Sequence, residues 1–441
     1  MFHSVRALTQ RVVQFRTSPP AVPPPQQGAA ACPLGHDLPA IDIPVRASSP
    51  DAGERARVRA QGRHLARQDD WATLASGLRE ADEERATTIG GAPVARLLAE
   101  GACSDAIASA CEAVSRNDPT TARAILYSLR DSMEGSEQDP WLACTLALGH
   151  LAVARAWEGA CHSLAGPDCS PLHRDARAQH LEIAQQLIGR FDPIECDSPA
   201  IAALRCALLE LDAQPARRMI DDYEDLIDLG PTCEEHMRAL GRDLSPARFG
   251  SWKRLDREAR RTAARVADVW GMGGYAWVWF DALCVAETRG FAHVEAELFV
   301  EGLHDIMARR PDQHMANTLA AFCGLTLSGA ASPRAPRARI ADSFGWIVQD
   351  HLREIHADIW AHARPGAGLD GADVAALGQR RALSALAGHF AHHLDRGRKV
   401  TFTAAGVAFD PTPCVSCALA PCAAVTYPHR DQRDEDTPCL T

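Results

Sequence analysis

From residue 51 onward, apolar side chains recur three and four positions apart, the spacing that places them on one face of an α-helix. The pattern predicts helices over 51–68, 70–85, 92–116, 119–133, 139–164, 171–190, 198–229, 251–289, 291–309, 313–328, 338–363 and 369–396. Two starts carry their own punctuation. In NDPTTARAIL, Asp118 is the N-cap and Pro119 the first helical residue; in CDSPAIAALRCALL, Ser198 and Pro199 take the same roles. Strand-like alternation appears only in KVTFTAAGVAF, 399–409, so each helix must bury its stripe against other helices. The expected fold class is therefore all-α, with antiparallel helical hairpins stacked as a solenoid or an irregular bundle.

Before residue 51 the character is different. Nine prolines between Ser18 and Pro50 exclude a persistent helix or a central strand, and predict an extended, disordered segment. The expected organisation is a Pro-rich N-terminal segment (1–50), a repeat-like helical domain (51–245), a second helical domain (246–400) and a disordered Cys-rich tail (401–441). Arg6, Arg11 and Arg16, with no acidic residue before Asp37, resemble a transit peptide more than a secretory signal, and leave targeting as an alternative to a plain tail.

Asp-Pro closures recur at RNDP (116–119) and RFDP (190–193), and Pro119 and Pro193 lie 74 residues apart, twice the pitch of a helical-hairpin unit. Together with LALGHLAVARAW, 146–157, whose Leu148-Gly149 matches the Leu-Gly of a first repeat helix, these closures resemble tetratricopeptide-type arrays over about 51–330. The resemblance implies helix pairs stacked into a superhelix whose concave face binds peptides.

Charge narrows the partners. A formal net charge of −11 argues against general binding of nucleic acid or anionic membrane. No run of about 18 uncharged apolar residues occurs, so no membrane span is expected. Only Lys253 and Lys399 are lysines, against 44 arginines, a skew that leans toward a GC-rich bacterial genome. Fifteen scattered cysteines read as reduced thiols and favour a cytoplasmic location. Within KRLDREARRTAAR, residues Arg254, Arg257, Arg261 and Arg265 share one helical stripe, a candidate surface for an acidic partner. The competing reading has the acidic run DDYEDLID, 221–228, neutralise the stripe within the molecule.

Metal chemistry has two candidate seats. Cys414, Cys417, Cys422 and His429 offer thiolates and an imidazole at spacings that could close a tetrahedral zinc site. His293, Glu297, Glu301 and His304 share a helical arc. No G-x-S-x-G, H-E-x-x-H, phosphate-loop or dinucleotide signature occurs. The leading expectation is a helical scaffold that binds a protein or peptide; the alternative is a metal-dependent enzyme or sensor using the C-terminal cysteines or the His/Glu face.

Overall fold

The computed structural model describes residues 40–133, 138–163, 170–284, 289–329, 332, 334–363 and 373–411. The fold is all-α apart from short strands, as the periodicity requires. The first helices are α1 (Pro50–Arg67), α2 (Trp71–Glu83), α3 (Val94–Ser115), α4 (Pro119–Ser132), α5 (Pro140–Ser163), α6 (Pro171–Ile188) and α7 (Pro199–Ala207). Both expected caps are present: Asp118 accepts from the Thr121 amide at 3.0 Å, and Ser198 Oγ from the Ile201 amide at 3.2 Å.

Packing in this part skips alternate helices. α3 lies against α1 on one side and α5 on the other, α5 goes on to contact α7, and α2, α4 and α6 flank the row. Leu74, Leu97, Leu142, Leu146 and Leu181 fill its core.

The later helices are α8 (Pro215–Leu229), α9 (Glu234–Asp243), α10 (Trp252–Arg265), α11 (Ala267–Trp270), α12 (Gly273–Cys284), α13 (Ala296–Arg309), α14 (Gln313–Ala321), α15 (Pro336–Ala341), α16 (Ser343–Trp346), α17 (Ala357–His362), α18 (Val374–His389) and α19 (Ala391–Leu394). Three long helices predicted from the sequence are broken. A 3₁₀ turn at Leu209–Leu211 divides 198–229, and Gly271, with φ of 57°, interrupts 251–289. The 338–363 stretch gives way to a π turn at Ile347–His351. The aromatics on either side of Gly271 are core: Trp270, Tyr275, Trp277, Trp279 and Phe280 are all buried. One buried cluster runs across residue 245, joining Met237 and Leu240 to Leu255 and Trp279.

The strands revise both expected tails. β1 (Ile41–Asp42) pairs in parallel with β4 (Arg398–Thr403), which forms an antiparallel hairpin with β5 (Gly406–Pro411). β2 (Val45–Arg46) pairs in parallel with β3 (Ile355–His356). Residues 41–42 and 45–46, expected to be disordered with the rest of 1–50, are thus short strands on either side of Pro44, a conformation that flanking prolines permit. The boundary expected at 400 falls inside a hairpin, because Val400 and Phe402 point into the core and Val407 and Phe409 pack against it. Among the described residues no helix is long and apolar enough to cross a membrane.

Candidate functional site: an arginine-lined cavity

A cavity of about 960 Å³ opens where the row α1–α3–α5–α7 faces α9. Its wall follows from helical spacing. Arg55 and Arg59 on α1, Arg96 and Glu100 on α3, and Leu151 and Arg155 on α5 are i,i+4 pairs, so each helix presents one short stripe. Met237 and Leu240 on α9 and Leu244 just after it point into the core, while Glu235, Arg238 and Arg242, at offsets 0, 3 and 7, line the cavity.

Among the described residues eight arginines and five acidic side chains line this space, in a chain of net −11, although Arg55 and Arg85 are also paired with Asp51 and Asp197 just beyond it. Most of the arginines are held by acids. Arg96 makes a forked contact with Glu235 at 2.5 and 3.1 Å and reaches Glu100 at 3.4 Å, while Arg59 holds Glu100 at 2.8 Å. Burial pushes the Glu235 carboxyl up, but the Arg96 guanidinium outweighs it and holds the group below its ordinary range. Arg238 and Arg242 share Asp281, Arg238 at 2.7 Å. His236 is neutral, because burial drives its pKa down to about 4. It adds no charge to the wall.

Asp82 is the polar hinge of the wall. Its carboxylate accepts from Trp141 Nε1 at 3.0 Å, from Ser198 Oγ and from the Ala200 amide at 3.1 Å, tying α2 to α5 and α7. Burial raises its pKa, opposed by these hydrogen bonds. Asp82→Ala is expected to destabilise the protein by about 2 kcal/mol, because three donors lose their acceptor, the figure being held down by water entering from the cavity. Asp82→Asn keeps acceptor capacity and should lose less. Urea unfolding of the two variants checks the order.

The thiols in the wall are poor nucleophiles. Burial raises Cys144 and Cys206 well above the ordinary cysteine value and Cys233 to about 12, so all three stay protonated at neutral pH. The arrangement is suited to holding an anion with an apolar body: Leu148, Leu151, Leu204 and Trp252 supply apolar wall between the guanidinium groups.

The residues singled out from the sequence lie elsewhere. Arg257 bonds to Glu258 at 2.9 Å, Arg261 to Glu258 and Glu224 at 3.1 Å each, and Arg265 to Glu224 and Asp228 at 2.6 Å. Arg254 donates to the Ala216 carbonyl at 2.6 Å. The stripe is thus held by α8 and its own helix, and an acidic partner there must displace Glu224 and Asp228. The zinc candidates Cys414, Cys417, Cys422 and His429 lie outside the described residues. His293 precedes α13, Glu297 pairs with Arg339 at 2.7 Å, and His304 stacks on Trp346 with centroids 4.0 Å apart. Among the described residues no group of three His, Cys, Asp or Glu side chains is placed to hold a metal.

Sequence reasoning missed the cavity because its charges come from many elements and no local motif marks it. The helices predicted from the sequence stop at 229 and resume at 251, and so omit α9. The signal for α9 was there: Met237, Leu240 and Leu244 follow helical spacing behind Glu234 and Glu235, acids that favour a helix N-terminus.

Fold and site together define an all-α protein built around a concave, guanidinium-lined wall. Comparison with protein-family models, with curated proteins and with solved structures finds no match.

Proposed function

We propose that the protein is a helical scaffold that binds an acidic segment of a partner protein in the cavity between α1–α3–α5–α7 and α9. The observation that carries this reading is the excess of arginines over acids among the side chains that line a cavity of about 960 Å³ in a chain of net −11. Such a wall attracts anions, and a concave low-dielectric surface strengthens the attraction. The succession of alternate helices along one wall supports the same reading, because a stack of this kind offers a continuous face to an extended chain. The resemblance to tetratricopeptide arrays agrees with it at the level of fold. Paired as it is, the α10 stripe is the weaker docking surface.

The test uses fluorescein-labelled acidic heptapeptides, with basic counterparts as controls, titrated with the full chain and followed by anisotropy. Acidic peptides should bind, and binding should weaken with salt as screening reduces the attraction. Ala203→Trp, which fills the cavity from α7, should abolish binding, while Arg257→Gln on the outer stripe should leave it unchanged. Loss of binding in Arg257→Gln, with retention in Ala203→Trp, returns the site to α10.

A further inference from the structure

We infer that Arg155, with Arg242 of the same cavity wall, forms an oxyanion subsite of the cavity that takes a phosphoryl group carried on an apolar body. This inference rests on the cavity being the binding site. Arg155 stands apart from the other arginines of the wall: it makes no hydrogen bond or ion pair with any described residue, and solvent reaches its side chain. The two acids whose charge it feels, Glu158 and Glu210, are both engaged by Arg177, at 3.7 and 2.5 Å. Arg242 and Arg96 are near enough to repel it. A guanidinium without an ion pair of its own, on a wall otherwise organised into ion pairs, is a vacancy for an anion.

The form of the vacancy selects the ligand. Arg242, also in the cavity lining, is more than half exposed and gives only Nη1 to Asp281, a carboxylate it shares with Arg238, so donors remain for a ligand. Two guanidinium groups offer forked donors, the geometry that matches phosphoryl oxygens. Arg55 and Arg85 are already paired with Asp51 and Asp197, which leaves Arg155 and the shared Arg242 to be answered; a phosphoryl group, with close to two charges, answers both where a single carboxylate answers one. Leu151 and Leu148, one and two turns from Arg155 on the same face of α5, provide the contact for the carrier.

The experiment titrates phenyl phosphate into the full chain by isothermal calorimetry, with phenylacetate as the singly charged comparison. Phenyl phosphate should bind saturably in the millimolar range or tighter, and phenylacetate about fivefold more weakly. Arg155→Gln should weaken phenyl phosphate by about tenfold while melting, without ligand, close to the wild-type temperature, since no ion pair or hydrogen bond is lost. Arg257→Gln should bind as wild type. A phosphotyrosine pentapeptide separates the sources: tighter binding than phenyl phosphate supports the subsite with a peptide carrier, and equal binding supports it with a small ester. Wild-type affinity in Arg155→Gln, or no saturable binding of phenyl phosphate, overturns the inference. The two proposals fail separately. Acidic peptides that still bind and are blocked by Ala203→Trp keep the scaffold reading when the subsite falls; Arg155-dependent phenyl phosphate binding without any peptide binding keeps the subsite when the scaffold reading falls.

Discussion

Gly241→Ala is expected to cost about 3 kcal/mol of stability, although alanine is the better helix former by about 1 kcal/mol. A Cβ at Gly241 would lie 1.7 Å from the Val278 carbonyl oxygen, so α9 and α12 cross with their backbones in direct contact. Neither side can yield by rotating a side chain. One helix must move, and the Arg238–Asp281 ion pair that spans the same two helices moves with it. The crossing of α1 and α3 has the same construction twice over. Gly62 would place a Cβ 2.0 Å from the Leu98 carbonyl oxygen and Gly101 one 2.0 Å from that of Arg59, and each alanine variant should lose a comparable amount. Gly53 supplies the contrast within α1: it is exposed with nothing within 4 Å of its Cβ position, and Gly53→Ala should gain about 0.5–1 kcal/mol. Urea midpoints for the four variants measure this difference in sign. A neutral Gly241→Ala would mean that α9 does not lie against α12 as described, and the cavity wall would have to be redrawn.

Those crossings also explain what could be read from the chain. Helix existence in the first half was legible because capping residues and apolar spacing agree there: Asp118-Pro119 and Ser198-Pro199 each begin a helix where the local chemistry requires one. Breaks were less legible. The 198–229 and 251–289 stretches keep helical periodicity through Leu209 and Gly271, and tertiary packing decides where the backbone turns. The close crossings were illegible, since Gly53, Gly62 and Gly101 look alike as letters and differ only in what stands opposite. The arginine stripe on α10 was visible as a stripe, but its partners on α8 could only be listed as one possibility. Cavity charges such as Arg59, Arg155 and Arg242 are far apart in sequence and become one wall only when α1, α5 and α9 are assembled.

Acidification should destabilise the protein sharply between about pH 6.5 and pH 4, with three buried histidines as the main cause. His150 and His180 face each other, Nδ1 to Nδ1 at 3.0 Å, one ring donating and the other accepting. Burial holds both far below the ordinary histidine value, with the neighbouring imidazole and Arg130 adding to the effect at His150 and Arg123 at His180. His236 is driven to about 4 by burial, and neither Glu235 nor the Gly230 carbonyl restores it. In the unfolded chain each titrates near 6.5, so below that pH the unfolded state takes up protons that the folded state refuses, and stability falls with pH. At pH 5 this amounts to about 2 kcal/mol for each group, or about 6 in all. Glu234 works the other way. Burial raises its carboxyl to about 7, against an unfolded value of 4.5, so its contribution is greatest below 4.5 and is lost as pH rises through 7. Lowering the pH from 7.5 to 5 therefore returns about 2 kcal/mol through Glu234 and leaves a net loss of about 4 kcal/mol, a large part of the stability of an ordinary domain. Urea midpoints at pH 7.5 and 5.0 measure the fall, and two variants assign it. His150→Gln with His180→Gln keeps an amide pair in place of the two rings and should flatten the dependence. Glu234→Gln removes the compensating term and should steepen it. Equal slopes in wild type and both variants would show that other groups govern the acid limb.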